Sequence, residues 1–309
     1  MNTLLIPELK TEVSRFVLGS ATFSLRQRAA AYEVIDAYRG VGGNLIDTAK
    51  SYGDGDSERA LGRWLTERGS RSEVVLMDKG CREDGSLTAD GIREAIEVSL
   101  ARLGTRYLDL WVVHRDHPDT PVQVLVETAN EQVEDGRIRG YGLSNWSVSR
   151  IAAARKYAEE KGLRGPAISS LHLSLAAPME PLWSNCLHAS EEEVAWHAEI
   201  GLPLLAWSPL GHGFFSDHSG PEPDSDERVE RCYRNEENME KLARARKLGE
   251  EKGVTAAQIA LAYVLNLPGP IAAVVGAQTA REVQSCDAAT EIELSAGEMA
   301  WLRLKAAER

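Results

Sequence analysis

The stretch NLIDTAKSYG at residues 44–53 contains the pattern that decides the fold of this chain. Its first part, Asn44–Asp47, is an apolar run typical of a buried strand, and this run ends in a carboxylate. A tyrosine, Tyr52, follows five residues later on the connection to the next element. Apolar runs that end in polar side chains recur along the chain, so their arrangement predicts the architecture.

Eight such runs alternate with amphipathic stretches. Several are rich in β-branched residues, as expected for parallel strands buried on both faces. The predicted strands are Phe16–Gly19, Asn44–Asp47, Val74–Met77, Leu108–Val113, Arg139–Leu143, Ala167–Leu171, Pro203–Trp207 and Ile271–Val275. Helical periodicity is present in Gly91–Leu103, Val122–Val133, Ser149–Lys161 and Glu191–Ile200. This alternation predicts either an open doubly wound sheet or a closed barrel.

Polar residues at the strand ends favour the barrel. They are Asp47, Lys79, His114, Ser144, Asn145, Ser170, Trp207 and Ser208, and they belong to six different strands. Side chains at the C-terminal ends of so many strands can converge only where those ends form a ring, as on the active-site face of a barrel. We therefore predict a single-domain (β/α)8 TIM barrel that spans residues 1–309.

Two other segments bear on this architecture. Gly40–Leu45 begins like the G-x-G-x-x-G motif, but it lacks the last glycine and precedes a strand, so it does not fit a Rossmann pyrophosphate site. Gly211–Asn238 has no periodicity and is rich in Gly, Pro, Asp and Glu. A segment of this length after a strand is expected to be a lid or disordered, and its role stays open.

Composition limits the classes of partner. The 309 residues are 43% hydrophobic and 27% charged, and the net charge of −12 opposes binding to nucleic acid or to an anionic membrane. No apolar run approaches the ~20 residues that cross a bilayer, and the N-terminal stretch has no signal-peptide pattern. Four scattered cysteines predict free thiols in a reducing compartment, so a cytoplasmic location is expected. His114 and His117 lack further ligands at a defined spacing, so no metal site is predicted.

Four side chains on neighbouring strand ends form the predicted catalytic group, Asp47, Tyr52, Lys79 (directly after Val74–Asp78) and His114. Reduction of a carbonyl needs a hydride at carbon and a proton at oxygen, and a phenol donates best when its pKa is tuned toward the working pH. A buried ammonium at Lys79 is expected to lower the pKa of Tyr52, while Asp47 keeps Lys79 charged. A neutral His114 imidazole can orient the carbonyl oxygen.

Several alternatives stay open for these residues. Asp47 and Lys79 could form no more than a buried ion pair. A barrel isomerase or aldolase could form a Schiff base between Lys79 and its substrate. A regulatory subunit could keep the fold and bind a nucleotide with little turnover. The joint occurrence of all four side chains on consecutive strand ends favours the reductase.

The chain resembles the aldo-keto reductase superfamily at motifs that run in order along almost its whole length. The matching stretches are Leu18-Gly19-Ser20, D-T-A-x-x-Y at Asp47–Tyr52, Gly55–Gly62, Lys79, Leu100–His114, Gly142–Trp146 and Ala206–Gly211. The resemblance implies an enzyme that reversibly reduces an aldehyde, a ketone or a sugar-like carbonyl. It also implies that Tyr52 is the general acid/base, supported by Asp47, Lys79 and His114.

The resemblance further implies a nicotinamide cofactor that lies extended across the C-terminal face. Ser144 and Asn145 match the residues that bind its carboxamide, Trp207 matches the aromatic that stacks on its ring, and the next residues match the loop around the pyrophosphate. The implied cofactor residues are Gly19, Ser20, Asp47, Ser144, Asn145, Ser170, Trp207, Ser208, Pro209, Leu210, Gly211, Gly276, Gln278 and Glu282.

The chain departs from the family pattern at two cofactor positions. Ser170 stands where Gln is usual and is shorter, which leaves the carboxamide contact to water or to His172. At the adenosine site, where the family commonly has cationic residues or Gln and a later Asn, the chain has Gly276, Gln278, Glu282 and Cys286. A 2′-phosphate prefers cations, and Glu282 would repel it, although Glu282 also completes a capping box with Thr279. NADP(H) is slightly favoured by the family habit, and NAD(H) or dual use stays open.

Loops are expected to close the substrate pocket, because no long tail follows the last amphipathic segment. The predicted pocket residues are Phe23, Tyr52, His114, Arg115 and Phe214. Polar residues beside His114 point to a hydroxylated, sugar-like substrate. The natural substrate, the physiological direction and the oligomeric state do not follow from the sequence.

Overall fold

A computed structural model describes residues 1–83, 85, 87–216 and 226–309. Its strands are β1 (Thr3–Ile6), β2 (Thr11–Ser14), β3 (Phe16–Gly19), β4 (Leu45–Ala49), β5 (Val75–Gly80), β6 (Leu108–Val113), β7 (Ile138–Ser144), β8 (Ile168–Ser170), β9 (Leu204–Trp207) and β10 (Ile271–Val275). Strands β3 to β10 pair in parallel in chain order, and β10 pairs with β3 to close the ring. The predicted (β/α)8 TIM barrel is confirmed.

Helices connect successive strands of the barrel. They are α1 (Arg28–Gly40), α2 (Asp56–Arg68), α3 (Ala89–Leu103), α4 (Val122–Glu134), α5 (Val148–Lys161), α6 (Glu191–Ile200), α7 (Glu227–Tyr233), α8 (Glu236–Lys252), α9 (Ala256–Leu265), α10 (Ala280–Ala289) and α11 (Ala296–Leu302). The four helices predicted from periodicity are present, with bounds that shift by two residues at most. None of the described helices is long and apolar enough to cross a membrane.

Side-chain caps fix where α6 and α10 begin. Ser190 and Glu193 form a complete capping box at the start of α6. At α10 only half of the predicted box is present, because the Thr279 hydroxyl accepts from the Glu282 N–H. The Glu282 carboxylate accepts instead from the N–H of Gln278, at 2.8 Å. Glu282 therefore binds the backbone one residue before the predicted partner.

Two barrel strands extend further than their apolar runs. β4 continues to Ala49 and β5 to Gly80, and Ala49 lies beside Lys79 in the parallel ladder. The predicted position of Lys79 after its strand is therefore wrong, and Asp47 also lies inside a strand. The ladder continues through these polar residues because their side chains satisfy one another inside the barrel mouth.

The segment Gly211–Asn238 is partly helical, which its lack of periodicity did not indicate. It contains a 3₁₀ turn at Gly211–Gly213, the short helix α7 and the start of α8. A helix of two turns is too short to show a clear apolar period. The rest of the segment, residues 217–225, lies outside the described residues.

A hairpin that the sequence did not reveal closes the N-terminal end of the barrel. β1 and β2 pair in antiparallel fashion outside the barrel sheet. Ile6, Leu9 and Val13 of this region are buried in one cluster with inward-facing barrel residues, among them Val17 and Leu45. Because the hairpin fills this end, the polar residues of the site have only the C-terminal mouth in which to gather.

Candidate active site

The centre of the site is an ion pair between two neighbouring strands. Asp47 of β4 is 3% exposed and Lys79 of β5 is 5% exposed. The Lys79 ammonium donates to Asp47 Oδ1 in a short hydrogen bond. Burial raises the pKa of Asp47, and Lys79 opposes that rise. Burial also disfavours the charge on Lys79, but Asp47 and Tyr52 outweigh it and raise the pKa of the ammonium.

The loop that carries Tyr52 is held by a guanidinium from α3. Tyr52 begins a 3₁₀ turn in which Gly53, Asp54 and Gly55 all have positive φ. Arg102 donates to the carbonyl of Lys50 at 3.0 Å and to Glu58 Oε2 at 2.8 Å. A Cβ on Gly55 would lie 2.3 Å from that guanidinium, so only glycine allows this approach. Arg102 is therefore a positioning residue for the Tyr52 loop.

The hydroxyl of Tyr52 is desolvated beside Lys79, although the residue as a whole is half-buried. The Lys79 ammonium lies 5.1 Å from the centre of the Tyr52 ring. Burial raises the pKa of Tyr52 above its ordinary value of 10.0, and Lys79 lowers it by less. The sequence predicts a lowered pKa for Tyr52. The direction is the opposite because burial raises this pKa by more than the Lys79 charge lowers it. At neutral pH the phenol is therefore fully protonated.

His114 lies against Tyr52 directly after β6. The two ring centres are 5.9 Å apart in an edge-to-face arrangement. His114 is 7% exposed, and its Nδ1 has no hydrogen-bond partner among the described residues. Burial lowers its pKa well below 6.5, and the charges of Lys79 and Arg115 lower it further. The imidazole is therefore neutral and can donate or accept a hydrogen bond without carrying charge.

These pKa directions predict the pH profile of carbonyl reduction. A reduction in which Tyr52 gives the proton would need the phenol protonated, and the raised pKa of Tyr52 keeps that proton in place below pH 10. His114 stays neutral through pH 6.5 because its pKa is lowered. We expect kcat/KM for reduction to be level across pH 6.5 and to fall only on the strongly alkaline side. An inflection near pH 6.5, with circular dichroism showing the fold intact, would contradict the neutral imidazole.

Residues implied for the carboxamide gather at the ends of β7 and β8. Asn145 has a positive φ of 61° and follows β7, where its side chain donates to the His114 carbonyl and to Ser144 Oγ. Its Oδ1 accepts from the Leu187 N–H at 3.2 Å. The Ser170 hydroxyl donates to the carbonyl of Leu205 at 3.0 Å. These polar groups are therefore held in fixed orientations beside His114.

Trp207 ends β9 and is half-buried. The His172 ring lies 4.7 Å from its ring and 35° from parallel, and Trp183 lies 6.0 Å away. His172 itself is fixed by Tyr233, whose hydroxyl lies 2.9 Å from His172 Nε2. The indole is thus supported by protein groups while part of it remains open, which suits an aromatic platform for a flat ring.

The chain turns sharply after Trp207, and two of the residues with positive φ in this turn are not glycine. Ser208, Gly211 and His212 all have positive φ, near 51°, 60° and 55°. Pro209 and Leu210 lie between them. The Gly211 N–H donates to the Ser208 carbonyl at 3.0 Å, so the turn is held by its own backbone. The place of this loop around a pyrophosphate stays a prediction.

The remaining implied cofactor residues follow two neighbouring strands, β10 and β3. Gly276, Gln278 and Glu282 are exposed around the start of α10. A Cβ on Gly276 would meet nothing within 4 Å, so space lies above it. Gly19 ends β3, which pairs with β10, and the hydroxyl of buried Ser20 is bonded to Ser57 at 2.7 Å.

The residues predicted for the substrate pocket differ in their surroundings. Phe23 is 5% exposed, and Arg115 follows His114 with 8% exposure. Phe214 is 2% exposed and stacks on Tyr233 in the core, with ring centres 5.7 Å apart. Its place in the pocket stays a prediction.

Arg82 and Arg102 were not singled out from the sequence, because no local pattern distinguishes a loop or helix arginine that acts at a distance.

Cavities do not change this assignment. One cavity of about 520 Å³ lies at the N-terminal half of the barrel and is lined by residues such as Tyr107, Ile138 and Arg164. A smaller one, of about 170 Å³, lies beside His172, His188 and Trp207. Barrel enzymes place their chemistry at the C-terminal face, so the smaller cavity marks the functional end.

Comparisons with known proteins agree with this geometry. Residues 15–306 match the model of the Aldo/keto reductase family. Norsolorinic acid reductase B of Dothistroma septosporum is 26% identical to this chain over a match of 318 residues. The match covers 96% of this chain and 79% of that protein.

Solved structures give the same result. An aldo/keto reductase from Klebsiella pneumoniae, in complex with NADP and acetate, has a TM-score of 0.78 at 25% identity and covers 100% of this chain and 98% of its own. Another structure from that organism, in complex with NADPH, has a TM-score of 0.77 at 26% identity, with the same coverage.

Proposed function

Because this chain belongs to the aldo/keto reductase family, we propose that it reduces a small-molecule carbonyl with NADP(H) and that Tyr52 gives the proton to the carbonyl oxygen. The observation that carries the proposal is the contact among Asp47, Lys79 and Tyr52 with His114 at the same mouth. In this proposal residues 1–309 form one cofactor-binding domain.

The chain's own residues can perform the proton transfer. When bound, the reduced nicotinamide would supply the hydride for the carbonyl carbon. As negative charge develops on the oxygen, the Tyr52 O–H transfers its proton and becomes a tyrosinate. Lys79 stabilises that anion because it is already adjacent and charged, and Asp47 holds it there. Neutral His114 orients the oxygen by a hydrogen bond. In the reverse direction the tyrosinate takes the proton back.

The residues present fit the cofactor at two points. Trp207 offers a half-open indole, and Gly276, directly after the neighbouring strand β10, leaves open space above it. The Klebsiella pneumoniae relatives hold NADP or NADPH, which supports NADP(H) over NAD(H) for this chain.

The structure argues against the Schiff-base alternative. An amine must be neutral to attack a carbonyl, whereas Asp47 and Tyr52 raise the pKa of Lys79. A regulatory subunit without turnover would have no use for the proton donor.

We also propose a cytoplasmic location, because no disulfide joins the four cysteines, all of which lie in the described part of the chain.

The first test is a titration of the purified protein with NADPH and NADH, followed by quenching of tryptophan fluorescence. Binding of NADPH followed by oxidation of NADPH with simple aldehydes would support the proposal. Binding without turnover on a broad aldehyde and ketone panel would favour the regulatory subunit. Binding of neither nucleotide would refute hydride transfer.

Glu282 is expected to weaken discrimination in favour of NADPH. Its exposed carboxylate lies at the start of α10, where the 2′-phosphate would bind in this proposal. Glu282→Gln keeps an acceptor for the Gln278 N–H and removes the repulsion. We expect the ratio of NADPH to NADH affinity to rise about three- to fivefold, as measured by fluorescence titration.

A matched control is Glu193→Gln, which changes the same kind of capping side chain at the start of α6. It should leave the affinity ratio unaltered. An unchanged ratio in Glu282→Gln would mean that this carboxylate does not face the phosphate.

A further inference from the structure

Arg115 is a buried cation beside the reacting centre that the reaction itself does not need. It is 8% exposed and follows His114, and its Nη1 donates to the His114 carbonyl at 2.9 Å. That contact uses one of five N–H donors. Among the described residues, no carboxylate pairs with Arg115. Each of its side-chain nitrogens either has a hydrogen-bond partner or reaches solvent. The free edge of the guanidinium therefore opens toward solvent at the mouth.

Arg82 brings a second positive charge to the same place. It follows β5 after Cys81, whose φ of 53° turns the chain, and the Cys81 carbonyl lies 3.2 Å from His117 Nε2. The charges of Arg82 and Arg115 both act on His114 and on the Cys186 thiol, whose pKa burial raises and these cations lower. Exposed Arg82 therefore lies close enough for its charge to act on the same two groups, His114 and Cys186, as the charge of Arg115.

Two acids close to this place are already paired with other cations. Asp116, next to Arg115, is bound by Arg150 at 2.9 Å, and Arg150 also donates to the carbonyls of His117 and Thr120. Asp47 is paired with Lys79. In a chain with a net charge of −12, Arg115 therefore remains without a carboxylate partner in the part that the structure describes.

We propose that the substrate carries an anionic group, a carboxylate or a phosphate, near its carbonyl, and that Arg115 binds it with Arg82 as a second cation. Guanidinium groups bind such planar or tetrahedral oxyanions by paired, charge-assisted hydrogen bonds. This inference rests on the proposed function, because it names the substrate class of the same site. It replaces the sugar-like substrate that the sequence indicates with an acidic one.

The test compares anionic carbonyls with neutral twins in the wild-type enzyme. Succinic semialdehyde is paired with butyraldehyde, and glyceraldehyde 3-phosphate with glyceraldehyde, so the two pairs distinguish a carboxylate from a phosphate. We expect kcat/KM for at least one anionic member to exceed that of its twin by about 10- to 100-fold, since a charged hydrogen-bond pair is among the strong ones. The advantage should shrink as ionic strength rises.

Variants then assign the effect to the arginines. Arg115→Gln should remove most of the anionic advantage, mainly through KM, and Arg115→Lys should restore part of it. Arg82→Gln leaves the contact between Arg115 and the His114 carbonyl in place, and it should lower the anionic advantage by a smaller factor. Lys156→Gln on α5, whose side chain is 76% exposed, removes one positive charge outside the mouth and should change no ratio.

Each outcome bears on a single idea. Equal kcat/KM for anionic and neutral twins would overturn the acidic substrate while leaving the reductase intact. An equal loss for both twins in Arg115→Gln, with the advantage kept in Arg82→Gln, would make Arg115 only a support for His114. Absence of turnover with every carbonyl would instead refute the proposed function.

Discussion

Replacing Tyr52 by Phe is expected to lower kcat for carbonyl reduction by about 10²- to 10⁴-fold, the usual contribution of a positioned general acid. The change removes only the hydroxyl that lies beside Lys79, and the ring can keep its edge contact with His114, 5.9 Å away between centres. Fluorescence titration should show NADPH affinity within about twofold of wild type, because no cofactor contact is assigned to that oxygen.

Tyr157→Phe is the matched control, since its hydroxyl lies on α5 and bonds to Glu127 at the surface. It should retain full activity. If Tyr52→Phe kept more than a few per cent of the wild-type kcat, another group would have to be the proton donor. A loss of cofactor binding in the same variant would show that the loop, not the proton, had been disturbed.

Replacing Lys79 by Met should have the largest combined effect on stability and activity. The change leaves the Asp47 carboxylate, 3% exposed, without its counter-ion. Breaking a buried pair by removing one partner costs about 3–5 kcal/mol of the free energy of unfolding. Chemical denaturation measures that loss, and kcat should fall because the tyrosinate also loses its neighbour.

The double variant Asp47→Asn, Lys79→Met separates the two effects. Removing both charges should recover most of the lost stability, because no buried charge is left unpaired, while activity stays low. Arg71→Met is the comparison, since Arg71 and Arg139 each pair with buried Asp109 at 2.9 Å in the N-terminal half of the barrel, and Arg139 stays in place. It should cost stability without a comparable loss of kcat. Full activity in the double variant would reduce Asp47 and Lys79 to a structural pair.

The barrel could be predicted because its strands are buried on both faces and end in polar groups. Such runs stand out as continuous apolar segments, and Leu108–Val113 was located to the residue. The bounds of β4 and β5 were too short because the ladder continues through Asp47 and Lys79, where apolarity stops but pairing does not. The β1–β2 hairpin escaped notice because each strand has only four residues, and neither TLLI at Thr3–Ile6 nor TEVS at Thr11–Ser14 alternates apolar with polar residues.

The site was predictable to the extent that its members follow strands in order. Asp47, Tyr52, Lys79 and His114 meet because neighbouring strand ends are neighbours in space. Arg102 acts from a helix through a backbone carbonyl at Lys50, a contact that depends on tertiary packing alone. The sign of the Tyr52 pKa shift likewise depends on how deeply the hydroxyl is buried, which no spacing in the sequence encodes.

The pairing of β10 with β3 has a consequence for how this chain folds. Residues 273–275 complete the hydrogen bonding of residues 16–18, and Arg15 donates to the carbonyl of Ile271 at 2.9 Å. During synthesis the first barrel strand, β3, therefore keeps one edge unpaired until the last strand, β10, has left the ribosome. Non-local closure of this kind slows folding and leaves exposed edges that can aggregate. A shortened product that lacks β10 should accordingly aggregate rather than fold as a smaller barrel.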